Sequence, residues 1–309
     1  MVNTKFRLIT RSDFDGLICA VLLKELDLID DIKFVHPKDM QDGLIEVTDQ
    51  DITTNLPYVH GVHLAFDHHL SETIRNQKMA NHIIDPEAPS AARVVYNYYG
   101  GVSRFPTSWN EMMEAVDKGD AAQFSREEIL HPEGWVLMNF LMDARTGLGR
   151  FRDFTISNYQ LMMLLIDLCK DHPLEDILQL SDVQERINLF REHESLAQEQ
   201  IKRCASVHQN LVVLDLRQED IIYAVNRFMI YALFPECNIS IHVMWGVKQQ
   251  NTVFAIGKSI LNRTSHTNVG ELCLHYQGGG HLNAGTCQVS NDKSDATLQE
   301  VISKICADK

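Results

Sequence analysis

The chain has 309 residues, 45% of them apolar and 23% charged, and a net charge of −14. That length suits two domains better than one core, and the composition excludes a disordered or low-complexity protein. With no Lys/Arg-rich run, the acidic balance argues against long nucleic acid, which is bound through clustered phosphate neutralisation, and is easier to reconcile with a small anionic substrate held by metal ions and a few local cations.

From residue 5 to about 120, short apolar runs alternate with helical patterns, as in a mostly parallel sheet flanked by helices. Phe6–Thr10, Ile32–Val35, Leu44–Val47, Val62–Phe66 and His82–Ile84 are the predicted strands. Leu17–Leu26, Ala91–Tyr99 and Trp109–Val116 are the predicted helices. From 127 to 207 the periodicity is helical, most clearly over Asn158–Cys169 and the charged Val183–Lys202. After it, Leu211–Leu216, Ile239–Trp245 and Thr252–Gly257 read as strands, and Val269–Tyr276 and Ala296–Ile305 as helices. The expected organisation is an α/β domain over 1–126, a helical extension and connector over 127–207, and a smaller α/β domain over 208–309.

Asp13 and Asp15 lie just beyond the first strand, with Gly16 opening a helix. Ligands bind outside the carboxyl ends of parallel strands, and two carboxylates spaced i, i+2 suit a hard divalent cation. An Asp before a helix also serves as an ordinary N-cap. Val62–Phe66 ends directly in Asp67-His68-His69, which adds imidazole to the oxygen ligands. Asp49 and Asp51 follow Leu44–Val47, and Asp117 and Asp120 follow the Trp109–Val116 helix. Singly these four read as polar turns; as a set they supply the carboxylates of a two-metal site.

Ser12-Asp13-Phe14-Asp15-Gly16 followed by Phe66-Asp67-His68-His69 resembles the DHH phosphoesterase superfamily, which includes RecJ nucleases, NrnA-like nanoRNases, exopolyphosphatases and type II pyrophosphatases. The resemblance implies that Asp13 and Asp15 each hold one metal of a pair and that Asp51 bridges them. It further implies that His68 and Asp120 complete the second site, that Asp67 ligates or orients an imidazole, and that His69 faces the substrate phosphate. Many family members carry His two residues before the first aspartate, where this chain has Arg11. Arginine cannot ligate, so the first metal site loses a ligand, recruits another such as His36, or fills only with substrate. Arg11 is then suited to a phosphoryl oxygen.

Gly278-Gly279-Gly280-His281 follows the Val269–Tyr276 helix. Glycines let backbone N–H groups approach an anion, although one glycine would already serve as a helix cap. The stretch resembles the GGGH motif of the DHH-associated C-terminal domain, and Ser259–Ser265 resembles that domain's serine and arginine segment. By that resemblance Arg263 is a phosphate clamp and Gly278, Gly279, Gly280 and His281 contact substrate.

The expectation is therefore a hydrolase with two Mn2+ ions, Mg2+ or Co2+ being substitutes, in which a metal-activated water attacks phosphorus. His69 and Arg263 would neutralise the developing charge. Short oligonucleotides or nucleotide bisphosphates are the expected substrates, with inorganic polyphosphate as the alternative and a non-enzymatic nucleotide or metal sensor as a further one. Seven scattered cysteines without a CxxC pair fit a reduced, cytoplasmic protein. No apolar run reaches the roughly 20 residues that span a bilayer, so no membrane partner is expected; a homodimer is compatible with the sequence.

Overall fold

The computed structural model describes residues 5–151 and 153–308. In chain order its elements begin β1 (Phe6–Arg11), α1 (Phe14–Glu25), β2 (Ile29–Val35), α2 (Pro37–Gln41), β3 (Asp51–Thr54), β4 (Leu64–Asp67), α3 (Leu70–Arg75), β5 (His82–Ile84), α4 (Ala91–Tyr98) and α5 (Asn110–Asp120). Helices α6 (Arg126–Leu130), α7 (Gly134–Met142), α8 (Asn158–Asp171), α9 (Leu174–Leu178) and α10 (Ser181–Cys204) follow. The remainder is β6 (Ala205–His208), β7 (Leu211–Asp215), α11 (Met229–Leu233), β8 (Ile239–Trp245), β9 (Thr252–Lys258), α12 (Val269–His275), β10 (Gly279–His281), β11 (Ala284–Val289) and α13 (Ser294–Ala307).

These elements pack as two compact units. The first is the chain up to Gln123 with Pro132–Asn188, and the second is Phe124–His131 with Leu189 onward. The helical stretch between the two sheets is thus divided, and the boundary falls inside α10.

In the first unit the strand order is β2-β1-β3-β4-β5, and every pairing is parallel. Helix α1 is buried along its length from Phe14 to Leu23. It is apolar on every side because β1 covers one face and α4, α5 and α8 cover the others. The expected strand Leu44–Val47 does not form: Ile45 and Val47 pack against Ile9, Val35, Met40 and Leu56 without pairing. Asp51–Thr54 takes that place in the sheet, where Ile52, Thr53 and Thr54 are buried and β-branching suits the pleat. Asp51 therefore opens a strand and does not follow one.

In the second unit the order is β10-β11-β9-β8-β7-β6, with β7 and β8 parallel and the other pairs antiparallel. Its core joins Val213, Ile241, Phe254 and Ile256 of the sheet to Val269 and Cys273 of α12 and to Val301 and Ile305 of α13. The fold is the α/β class expected, with a parallel first sheet and a second, mixed one.

Candidate metal centre

The chain winds from β1 to β2 on one side and then to β3 on the other. At such a switch point the loops leaving adjacent strand ends diverge and open a crevice. Asp13 and Asp15 follow β1, and β4 ends in Asp67 with His68 and His69 beyond it. Asp120, the last residue of α5, joins them. Ligand atoms of Asp15, His68 and Asp120 lie within 4.8 Å of one another, as do those of Asp67, His68 and His69.

Each side chain is fixed by a local rule. Asp13 caps α1, its Oδ1 accepting from Gly16 N at 3.0 Å, while its Oδ2 pairs with Arg11 Nε at 2.9 Å. The capping role and the site are thus one residue's work. Asp15 accepts from Ala91 N at 3.0 Å and Ala92 N at 2.8 Å, the N–H groups at the start of α4, where a negative charge is favoured. His68 Nδ1 meets Ala88 O at 3.2 Å, which turns Nε2 toward Asp120 Oδ2 at 2.9 Å. Asp67 Oδ1 takes His69 Nδ1 at 2.7 Å and His68 N at 2.8 Å, and its buried Oδ2 has no partner among the described residues.

The electrostatics are those of a site short of positive charge. Burial, and then the neighbouring Asp120 carboxylate, push Asp15 up to about 8. Burial likewise raises Asp13, against the pull of Arg11. Burial acts to lower His68, but the Asp120 carboxylate outweighs it and lifts the imidazole to about 9. Burial tends to raise Asp120, and His68 holds it below the ordinary range. Asp13 and Asp15, whose burial resists their ionisation, and the buried, unpartnered Oδ2 of Asp67 fit a divalent cation's demand for anionic oxygen and imidazole donors. The acidic group suits a metal on this chemistry.

Some expected residues lie elsewhere. Asp51, expected as the bridging carboxylate, stands at the opposite end of β3, level with Arg7 and three residues before Thr54, which pairs with Thr10. Its oxygens accept from Arg7 Nε at 2.7 Å, Arg7 Nη2 at 3.0 Å and Thr48 N at 2.6 Å, so Asp51 is a lock at the sheet's far edge. Asp49 is exposed beside Gln50. Asp117 is committed to Ser90 Oγ and Arg93, which leaves Asp120 as the α5 carboxylate of the group. His36 caps α2.

Arg263 and the glycine-rich stretch belong to the second unit. Arg263 is exposed, its Nε donating to Ile260 O at 3.1 Å. Gly279–His281 is a strand hairpinned to Ala284–Val289, not an open nest. The left-handed residue after α12 is Gln277, at φ +60°, so the glycines do not serve the helix end. A Cβ on Gly278 would meet Thr286 O at 2.2 Å, and one on Gly285 would meet Cys273 Sγ at 2.8 Å. Gly279 has open space around its Cβ position, and His281 is exposed.

Two residues beside the candidate centre were not singled out in the sequence. Asn55 leaves the carboxyl end of β3, buried at 1% exposure and left-handed at φ +55°. Its Nδ2 reaches toward Asp13 Oδ1 at 3.4 Å, and its Oδ1 has no partner among the described residues. Strained, unsatisfied polar residues collect at functional sites. Placing the strand at Asp51–Thr54 from its β-branched run would have found it. Arg145, in a turn after α7, lies within electrostatic reach of Asp13 and Asp120.

Comparison with known proteins gives the family and the fold. No family model matches the chain, and no curated protein does. Among solved structures it is similar to a pGpG-specific phosphodiesterase, PggH, from Vibrio cholerae, at 61% identity and a TM-score of 0.87, over 99% of this chain and 100% of that one. RecJ from Thermus thermophilus in complex with Mn2+ shares the fold at 12% identity and a TM-score of 0.54, over 99% of this chain and 52% of that one. An exonuclease RecJ bound to manganese does so at 14% identity and a TM-score of 0.55, over 98% and 90%. The chain is a phosphate-ester hydrolase and belongs to the DHH phosphoesterase superfamily.

Proposed function

We propose that this enzyme cleaves the phosphodiester of short 5′-phosphorylated dinucleotides of the pGpG kind, using divalent cations held by Asp13, Asp15, Asp67, His68 and Asp120. The Asp15–His68–Asp120 group carries the reading: two carboxylates, one of them buried, and an imidazole whose ligand atoms lie within 4.8 Å of one another form a donor set suited to a divalent cation. The substrate is taken from the full-length similarity to a phosphodiesterase named for pGpG. Two ions are expected, manganese first, since an oxygen-rich set with imidazole also accepts magnesium or cobalt. Such ions, when bound, acidify water and offset phosphoryl charge.

The chain's own groups supply orientation. With Nδ1 engaged by Asp67, the His69 ring presents Nε2 to a phosphoryl oxygen, and the ion pair favours its charged form. Arg11, held at Nε by Asp13, turns its remaining N–H groups to the same phosphate. In the second unit, Arg263, Gly278, Gly279, Gly280 and His281 are the proposed substrate-contacting residues. No helix among the described residues is long and apolar enough to cross a membrane, and the free cysteines suit the reducing cytoplasm. The reading is the same for a monomer or a homodimer.

The test is a panel of pGpG, pAp and polyphosphate, each with Mn2+ or with EDTA. The expected product is GMP from pGpG, two per substrate and one water consumed, with none after chelation. Phosphate released from polyphosphate with pGpG intact would overturn the reading in favour of an exopolyphosphatase.

A further inference from the structure

We infer that Arg145 is a substrate-phosphate-binding residue of the hydrolytic centre, supplied by the helical stretch and not by either sheet. The inference rests on the Asp15–His68–Asp120 group being that centre. Arg145 lies in Asp143-Ala144-Arg145-Thr146-Gly147, just after α7, and α7 is packed onto both acidic segments. Asn139 of α7 sits where a side chain at Gly119 would be: a Cβ there would come within 1.9 Å of Asn139 Nδ2. That contact is one residue from Asp120. Toward the start of α7, the Trp135 ring meets the ring of Phe14, centroids 5.9 Å apart, and Phe14 stands between Asp13 and Asp15.

The turn after α7 then aims the arginine. Asp143 Oδ1 accepts from Arg145 N at 2.9 Å and from Arg145 Nε at 2.7 Å. Thr146 Oγ1 donates to Phe140 O at 2.6 Å, and Gly147, at φ +89°, closes the turn. The guanidinium is thereby held by its Nε, half-exposed, within electrostatic reach of Asp13 and Asp120.

What its terminal nitrogens do separates a counter-ion from a binding group. Structural arginines of this unit spend theirs on protein acceptors: Arg7 puts Nη2 on Asp51, Arg93 puts Nη2 on Asp117, and the buried Arg186 puts Nη2 on Asn158 Oδ1. Both Nη groups of Arg145 have no protein partner among the described residues. A clamped fork beside an acidic, cation-demanding pocket matches two oxygens of a metal-bound phosphate.

The test compares wild type, Arg145→Ala and Arg145→Lys on pGpG and on bis(p-nitrophenyl) phosphate, with the Mn2+ half-saturation and Tm of each. Arg145→Ala is expected to lose roughly 10- to 150-fold in kcat/KM on both diesters, as loss of a charge-assisted contact predicts. Its Mn2+ requirement and Tm should stay at wild-type values, and millimolar guanidinium should restore part of the activity. Arg145→Lys, which keeps the charge without the fork, should fall between, and it carries the test if the alanine variant does not fold. Activity within threefold of wild type on both diesters would overturn the inference, as would a loss that follows a raised Mn2+ requirement and ignores guanidinium. A wild type inactive on pGpG, with the Arg145→Ala deficit intact on the simple diester, would sink the dinucleotide reading and leave this inference standing.

Discussion

The carboxylate centre of the first unit and the glycine-rich hairpin of the second carry motifs of opposite physical kinds. At the centre, the distinctive residues are charged atoms placed where water is scarce, and they cost the fold energy in mutual repulsion. At the hairpin, the distinctive residues are missing atoms: Gly278 and Gly285 leave room for neighbouring backbone and for Cys273. A motif written in charged atoms is therefore expected to trade activity against stability, whereas one written in glycine ties stability to shape.

The sharpest way to break that contrast is Asp15→Asn. The variant keeps an acceptor for Ala91 N and Ala92 N but removes a buried charge that its neighbours oppose. Turnover should fall at least 1,000-fold, about 4 kcal/mol of lost transition-state stabilisation, while the metal-free Tm equals or exceeds that of wild type. A variant that is active, or that unfolds, would show that the carboxylate serves the scaffold.

Gly278→Ala should do the reverse. Its new methyl would press on Thr286 O and on Cys287, a clash that costs about 1–3 kcal/mol, read as a lowered denaturation midpoint with residual activity per folded molecule. Gly279→Ala separates packing from contact, because nothing lies within 4 Å of its Cβ position. With Tm unchanged, a roughly 2- to 10-fold drop in kcat/KM, the worth of one backbone hydrogen bond, would place the hairpin in the substrate site. Unchanged kinetics would remove it.

How far each part was legible follows from the same contrast. Asp13, Asp15, Asp67 and His68 were readable because their identity and their position at strand ends coincide. The error at Asp51 came from a strand misplaced by a few residues: Leu44–Val47 is the more apolar run, yet Asp51–Thr54 pairs in the sheet, since burial of β-branched Thr53 and Thr54 there outweighs local hydrophobicity. A shift along a parallel strand moves a carboxylate from one end of the strands to the other, so Asn55, and not Asp51, stands at the carboxyl end of β3 beside Asp13. Arg145 had no signature at all, because its position depends on the Asn139–Gly119 contact, which no local pattern encodes. Asp51→Ala checks the correction: it should cost about 1–2 kcal/mol of stability by stranding Arg7 and Thr48 N, a half-solvated pair, and leave kcat/KM within twofold. A loss of metal-dependent turnover in that variant would return Asp51 to the centre.

The smallest expected effect is a divergence of the two sheets with pH, and it turns on two histidines shifted in opposite directions. His242, in the middle of β8, is pushed by burial down to about 4, so the unfolded chain binds a proton between about pH 6.5 and 4 that the folded chain refuses. Stability from His242 is complete above 6.5 and is lost as the pH falls toward 4. His68 is raised to about 9, so in the metal-free protein its contribution is complete below 6.5 and is lost as the pH rises through 9. Acidifying from pH 7 to 5 should therefore reduce hydrogen-exchange protection, corrected for intrinsic rates, in β7–β9 while the amides of β1 and β3 keep theirs, β4 being left out because burial also lowers His82 on the strand beside it; His242→Gln should abolish the difference. Equal loss in both sheets, or loss that persists in His242→Gln, would place the acid-sensitive group elsewhere than His242.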